Sequence, residues 1–152
     1  MSKLDITTIS NSLISHQGPV DAEQLKGKYL GIYFSAHWCP PCRGFTPVLR
    51  KTYNQLKSEG QPFEVIFVSS DSSVHDFNEY YDSMPWLAVD FKSNTRQQLG
   101  NFFGVSSIPT LIMIDPEGNM INRNGRNAVA SNPNGFPWAS DGSEYYNICT
   151  LL

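Results

Sequence analysis

Cysteine and charge are both scarce in this chain. Three cysteines in 152 residues, an odd number, cannot supply the dense stapling of a secreted disulfide scaffold. Lys and Arg total 11 and Asp and Glu total 14, for a net charge of −3, and charged residues make up only 16%. Such a chain is too acidic and too sparsely charged to have nucleic acid as its main partner. Long hydrophobic runs are missing as well. Residues 30–34 (LGIYF) and 111–114 (LIMI) are far short of a membrane span. The N-terminal MSKLDITTIS has no apolar core of a secretory signal. Ser2 stands where myristoylation needs Gly. No internal repeat and no dinucleotide-binding glycine fingerprint are present. The expected compartment is the cytoplasm, with the nucleus as a further site, where thiols stay reduced.

What the chain does have is 40% hydrophobic and 12% aromatic residues, which excludes disorder for most of its length. The length fits one domain with a real core. Ile6, Ile9, Leu13 and Ile14 recur at helical spacing before a Gly18-Pro19 break, so residues 1–20 read as an extension carrying a short helix. Residues 29–35 (YLGIYFS) and 63–69 (FEVIFVS) read as strands buried on both faces. Between them Phe45, Leu49, Tyr53 and Leu56 form one stripe of a helix over about residues 41–59, ended by Gly60.

Ser72 or Ser73 can cap a helix whose inner face is Val74, Phe77, Tyr80 and Tyr81. A loop follows with Met84-Pro85-Trp86. A short helix then starts at Ser93 or Asn94, carries Leu99, Phe102 and Phe103, and closes at Gly104. Residues 110–114 read as a strand, 115–118 (DPEG) as a tight turn and 119–122 as the return strand. This order predicts an α/β domain with a mixed sheet over residues 21–140 and a polar tail over 141–152.

Trp38-Cys39-Pro40-Pro41-Cys42-Arg43 sits where the first long strand ends and the long helix begins. A helix N-terminus carries partial positive charge and free N–H groups, which favour a thiolate. Proline is tolerated in that first turn. Two intervening residues let the sulfurs bond and part without large backbone movement. The first sulfur is expected to be exposed and the second buried. Zinc would need a second close pair of ligands, and His16, His37, His75 and Cys149 are each isolated in sequence. No metal is therefore expected. Ile108-Pro109-Thr110 precedes a buried strand, as a cis-proline loop packing against a dithiol does.

Taken together, WCPPC followed by RGFTP, MPWLAV at 84–89, SIPTL at 107–111 and FPW at 136–138 resemble the nucleoredoxin and tryparedoxin branch of the thioredoxin-like superfamily. The likeness covers roughly residues 22–140. It implies a thioredoxin-like fold, a central mixed sheet flanked by helices, with a cis bond before Pro109 facing the cysteine pair. It implies dithiol–disulfide exchange, with Cys39 as the attacking cysteine, Cys42 as the resolving one and Trp38 as the shielding aromatic. Ile108, Pro109, Thr110, Trp86 and Arg126 are the residues it offers for substrate binding. Two bland alternatives stand beside these: Arg126 as a solvated surface residue, and Trp86 as a support for the loop. Trp138 reads as a packing anchor for the C-terminal segment.

The branch also sets out departures. Thioredoxins hold a buried acid six residues before the first cysteine, and here that residue is Tyr33. A phenol is a poor base at neutral pH, which leaves the proton acceptor open. His37 titrates in a useful range, but its direction is not fixed by the pattern. Residues 69–72 (SSDS) look like nucleoredoxin rather than the Trp-Asp-Glu type of tryparedoxins.

The resulting expectation is a monomeric protein-disulfide reductase. It would bind no cofactor and take electrons from an external reductase or low-molecular-weight thiol. The alternatives are a redox-gated signalling module, and a tryparedoxin relaying electrons from trypanothione to peroxidases. Cys149-Thr150-Leu151-Leu152 fits a prenylation pattern. A membrane would be reached only through that modification, and a free tail thiol is the competing reading.

Overall fold

The computed structural model describes residues 3–139. The tail 141–152 and the prenylation reading of Cys149 lie outside the described residues. The strands are β1 (Leu13–Ser15), β2 (Gly18–Pro19), β3 (Tyr29–Ser35), β4 (Phe63–Ser69), β5 (Leu87–Val89), β6 (Thr110–Ile114) and β7 (Met120–Asn122). The helices are α1 (Pro40–Ser58), α2 (Val74–Tyr81), α3 (Thr95–Phe103) and α4 (Gly125–Ser131). Among the described residues no helix is long and apolar enough to cross a membrane.

The seven strands form one sheet in the order β2-β1-β5-β4-β3-β6-β7. β3, β4 and β5 run parallel, while β1, β6 and β7 join antiparallel. β3 and β4 are the central pair, and each alternates its side chains between two cores. Tyr33, Phe63, Val65 and Phe67 enter one core with α1, α2 and α4 residues. Leu30, Ile32, Phe34, Ile66 and Val68 enter the other with Leu99 and Phe103 of α3. Burial on both faces explains why these two strands read as unbroken apolar runs.

The helix ends follow local chemistry. Ser73 caps α2, its hydroxyl accepting from the Asp76 N–H at 3.1 Å. Gly104 ends α3 in the left-handed region at φ 64°, a conformation that glycine adopts without Cβ strain. Gly125 opens α4 because a Cβ there would lie 2.7 Å from the Leu111 carbonyl oxygen. Replacing Ser73 with alanine is expected to cost about 1 kcal/mol. A urea melt should show this as a lower midpoint at unchanged slope.

Two expectations need correction. Leu13 and Ile14 lie in a strand, not a helix. Only Ile6–Ile9 is helical, as a single 3₁₀ turn. β1 pairs with β5 through Leu13 and Val89, so the cross-strand ladder overrides a spacing that fits a helix over too few residues. Val74 is 45% exposed, so it does not belong to the inner face of α2, and Phe102 of α3 is 44% exposed. The loop expected at Met84-Pro85-Trp86 is present and leads directly into β5, and α4 occupies a stretch too polar to show a period in the sequence. The anchoring reading of Trp138 agrees with its burial against Phe63 and Phe136, with its indole N–H donating to the Asn132 carbonyl at 2.7 Å.

Candidate active site

Cys39 and Cys42 are joined as a disulfide, with Cα atoms 5.2 Å apart. Cys39 is the N-cap of the 19-residue helix α1, and its Sγ accepts from the Cys42 N–H at 3.3 Å. That places the sulfur at the positive end of the helix dipole, which favours a thiolate once the bond opens. Pro40 and Pro41 occupy the first turn and are exposed. Cys39 retains 5% exposure and Cys42 none. The expected contrast between the two sulfurs is therefore small in the disulfide form.

Below Cys42 lies a buried cluster of four hydroxyls. Tyr33 Oη is 2.6 Å from Thr46 Oγ1, and Tyr80 Oη is 2.7 Å from both Thr46 Oγ1 and Ser35 Oγ. The Ser35 hydroxyl donates to Tyr33 Oη at 3.1 Å. Tyr33 and Thr46 each donate to the Cys42 carbonyl, at 3.3 and 3.0 Å. Burial, then the neighbouring Tyr80, pushes the Tyr33 phenol well above its ordinary range. The group at the position of the thioredoxin acid is thus neutral and hydrogen-bonded. Thr46 follows Cys42 by one helical turn, and Tyr33 and Ser35 alternate onto one face of β3. Nothing local announces Tyr80, which arrives from α2.

The loop from β3 into α1 is pinned from β4. The His37 N–H donates to Asp71 Oδ1 at 2.8 Å, and the Ser69 hydroxyl donates to Asp71 Oδ2 at 2.7 Å. The His37 ring is half-buried and stacked on Tyr80, with centroids 5.5 Å apart. Trp38 is 59% exposed, and its indole N–H donates to the Ser70 carbonyl at 3.3 Å. Arg43 is exposed on the first turns of α1.

From the other side, the Ile108–Pro109 bond is cis and Ile108 packs against Ala36, Cys39 and Cys42. Pro109 is buried, and the Thr110 hydroxyl donates to the Ser107 carbonyl at 2.7 Å. Between Trp38 and Ile108 runs an open groove of about 620 Å³, lined also by Ser70, Arg96, Gln97 and Asn101. Sequence reasoning missed Arg96. It stacks on Phe91 at 4.0 Å, and its guanidinium donates to the Phe91 and Ser69 carbonyls.

Arg126 is exposed on α4, next to Gly125 against β6, and makes no hydrogen bond or ion pair among the described residues. The substrate-binding expectation for Trp86 is corrected. Trp86 is 1% exposed, with its ring set edge-on to Tyr33 and Tyr53 at 6.0 and 5.5 Å. It belongs to the core beneath α1, whereas Ile108 packs toward the opposite core. No substrate can touch a side chain so enclosed.

With Ile108 closing over the bonded pair, the site has the build of a thioredoxin-like redox protein. Comparison with known sequences leads to the same class: the profile of a family described as Thioredoxin-like matches residues 27–120. The chain belongs to that family, in the branch that holds nucleoredoxins and tryparedoxins. It is 46% identical to nucleoredoxin of Danio rerio over 129 residues, covering 83% of this chain and 31% of that protein. It is 46% identical to tryparedoxin of Trypanosoma brucei brucei over 133 residues, covering 85% of this chain and 92% of that protein. Among solved structures it resembles tryparedoxin II complexed with glutathionylspermidine, with a TM-score of 0.81 and 37% identity, over 89% of this chain and 96% of that one. The chain thus spans about a third of the nucleoredoxins it matches and nearly all of the tryparedoxins. Fold, family and the bonded cysteine pair together support thiol–disulfide oxidoreductase function.

Proposed function

We propose that this chain reduces protein disulfides by cycling Cys39 and Cys42 between dithiol and disulfide. The observation that carries the reading is the bonded pair at the start of α1 with Ile108 packed on it. The Cys39 thiolate attacks one sulfur of a substrate disulfide, whose S–S bond breaks. A mixed disulfide forms and the far substrate sulfur leaves as thiolate. Cys42 loses its proton and attacks Cys39, releasing the second substrate thiolate. Two electrons have then passed to the substrate, and Cys39 and Cys42 are bonded.

The exchange itself calls for no bound cofactor. The electrons return from an external reductase or low-molecular-weight thiol, in a reducing compartment such as the cytoplasm or nucleus. Trp38 and Ile108 bound the groove in which an extended substrate segment would lie, with Arg96 and Gln97 of α3 along its far wall. Thr110 follows the cis-proline at its edge, and Arg126 on α4 is a separate exposed candidate for contact with the substrate. The test is the midpoint potential of the pair, measured beside insulin reduction. A value near −270 mV, about that of thioredoxin, with insulin turnover is expected. A value near about −120 mV would reverse the direction of the reaction.

A second reading is favoured by similarity. This chain is 46% identical to a tryparedoxin and shares the fold of tryparedoxin II complexed with glutathionylspermidine, which supports a relay from a dithiol cosubstrate to peroxidases. Parallel donor rates decide between the two. Preference for trypanothione over glutathione and a thioredoxin-type reductase would select the relay.

A further inference from the structure

We propose that His37, Asp76 and Glu79 form a binding site for a divalent transition-metal ion of the zinc type, on the flank of the redox loop. His37 comes from the loop before α1, and Asp76 and Glu79 come from α2. Each offers one ligand atom, and all three atoms lie within 4.8 Å of one another. In sequence His37 is isolated. The fold brings two carboxylates to it, spaced so that they share one face of α2.

Three further observations argue for a ligand here. The imidazole is held in place before any ion arrives, its main chain tied to Asp71 and its ring stacked on buried Tyr80. The lone pairs are unspent. Among the described residues, neither a ring nitrogen of His37 nor the Asp76 carboxylate has a side-chain partner, and Glu79 has only His75 at 3.6 Å. Beside the cluster opens a cavity of about 240 Å³ lined by His37, Thr46, Glu79 and Tyr80, with room for waters to complete the coordination.

Charge and geometry select the ion. Two carboxylates neutralise a dication, and one imidazole with two oxygens suits zinc and its neighbours better than calcium or magnesium. Opposing charges face the same cavity. Arg43 and Arg50 line it, although Arg50 is committed to the Ser83 carbonyl at 2.9 Å. A tetrahedral zinc with ligands about 2.1 Å away holds them about 3.4 Å apart. Closure therefore asks for roughly an ångström of side-chain rotation, which Asp76 and the exposed Glu79 can supply.

The test titrates zinc chloride into the oxidised full chain, with Cys149 alkylated, by calorimetry. In that form Cys39 and Cys42 offer no thiolate. One ion per chain is expected. His37→Ala and Glu79→Gln should each weaken binding by more than the roughly tenfold that loss of an outer-shell partner costs, and His75→Ala should retain it. Thermal melts of each variant check folding, and the conservative change at exposed Glu79 keeps the test valid if His37→Ala is unstable. Absence of binding to the oxidised chain would overturn the site. So would affinity unchanged in both variants, or binding lost only in His75→Ala, which would move the ion to the surface His75–Glu79 pair.

Discussion

Replacing Cys39 with serine is expected to drop insulin reduction to the uncatalysed rate, while replacing Cys42 with serine is expected to leave the chain covalently held on its substrate. The asymmetry follows from position. Cys39 caps α1, and its sulfur receives the Cys42 N–H at the positive end of a 19-residue helix. A thiolate there is stabilised at neutral pH. A serine hydroxyl in the same place stays protonated and cannot displace a sulfur, so no mixed disulfide forms.

Cys42 has no exposed surface and sits above the Tyr33–Thr46 hydroxyls. It can reach the Cys39 sulfur but not an external one. Without it the mixed disulfide on Cys39 persists until another thiol arrives. Non-reducing mass spectrometry should show the chain plus substrate for Cys42→Ser and the free chain for Cys39→Ser. Undiminished turnover in Cys39→Ser would refute the mechanism. Adducts formed equally by both variants would refute the division of roles.

How much of this was legible beforehand depended on whether the physics is local. β3 and β4 lie between two cores, so every residue from 63 to 69 is buried and the run reads itself. The cysteine pair was legible because a helix N-terminus and two prolines impose a short fixed pattern. β1 was not, since three residues of strand fit a helical spacing equally well. Tyr80, Thr46, Ser35 and Tyr33 meet only through the tertiary fold, from β3, α1 and α2. The same holds for Asp71, whose carboxylate secures the redox loop from the end of β4. Trp86 failed in another way. A hallmark tryptophan between proline and an apolar run looks like a surface ligand until the depth of the core beneath α1 is known.

That depth sets the largest stability effect in the chain. Truncating Trp86 to alanine is expected to cost about 3–5 kcal/mol, a large part of the 5–15 kcal/mol typical of a domain. Trp86 heads the fully buried side chains by volume. Its ring sits between Tyr33 and Tyr53, and Tyr81 on α2 donates to its carbonyl at 2.6 Å. The indole N–H is buried without a hydrogen-bond partner. Truncation therefore forfeits apolar contacts and leaves no broken hydrogen bond behind. A phenylalanine there should recover a good part of the loss, because it refills most of the volume.

The exposed Trp38 provides the contrast. It carries only one long hydrogen bond, to the Ser70 carbonyl, so Trp38→Ala should leave the denaturation midpoint nearly unchanged while raising the KM for protein disulfides. Urea melts and insulin kinetics on the two variants separate the roles. A Trp86→Ala chain of native stability but impaired KM would return that residue to the substrate surface and contradict the packing described above.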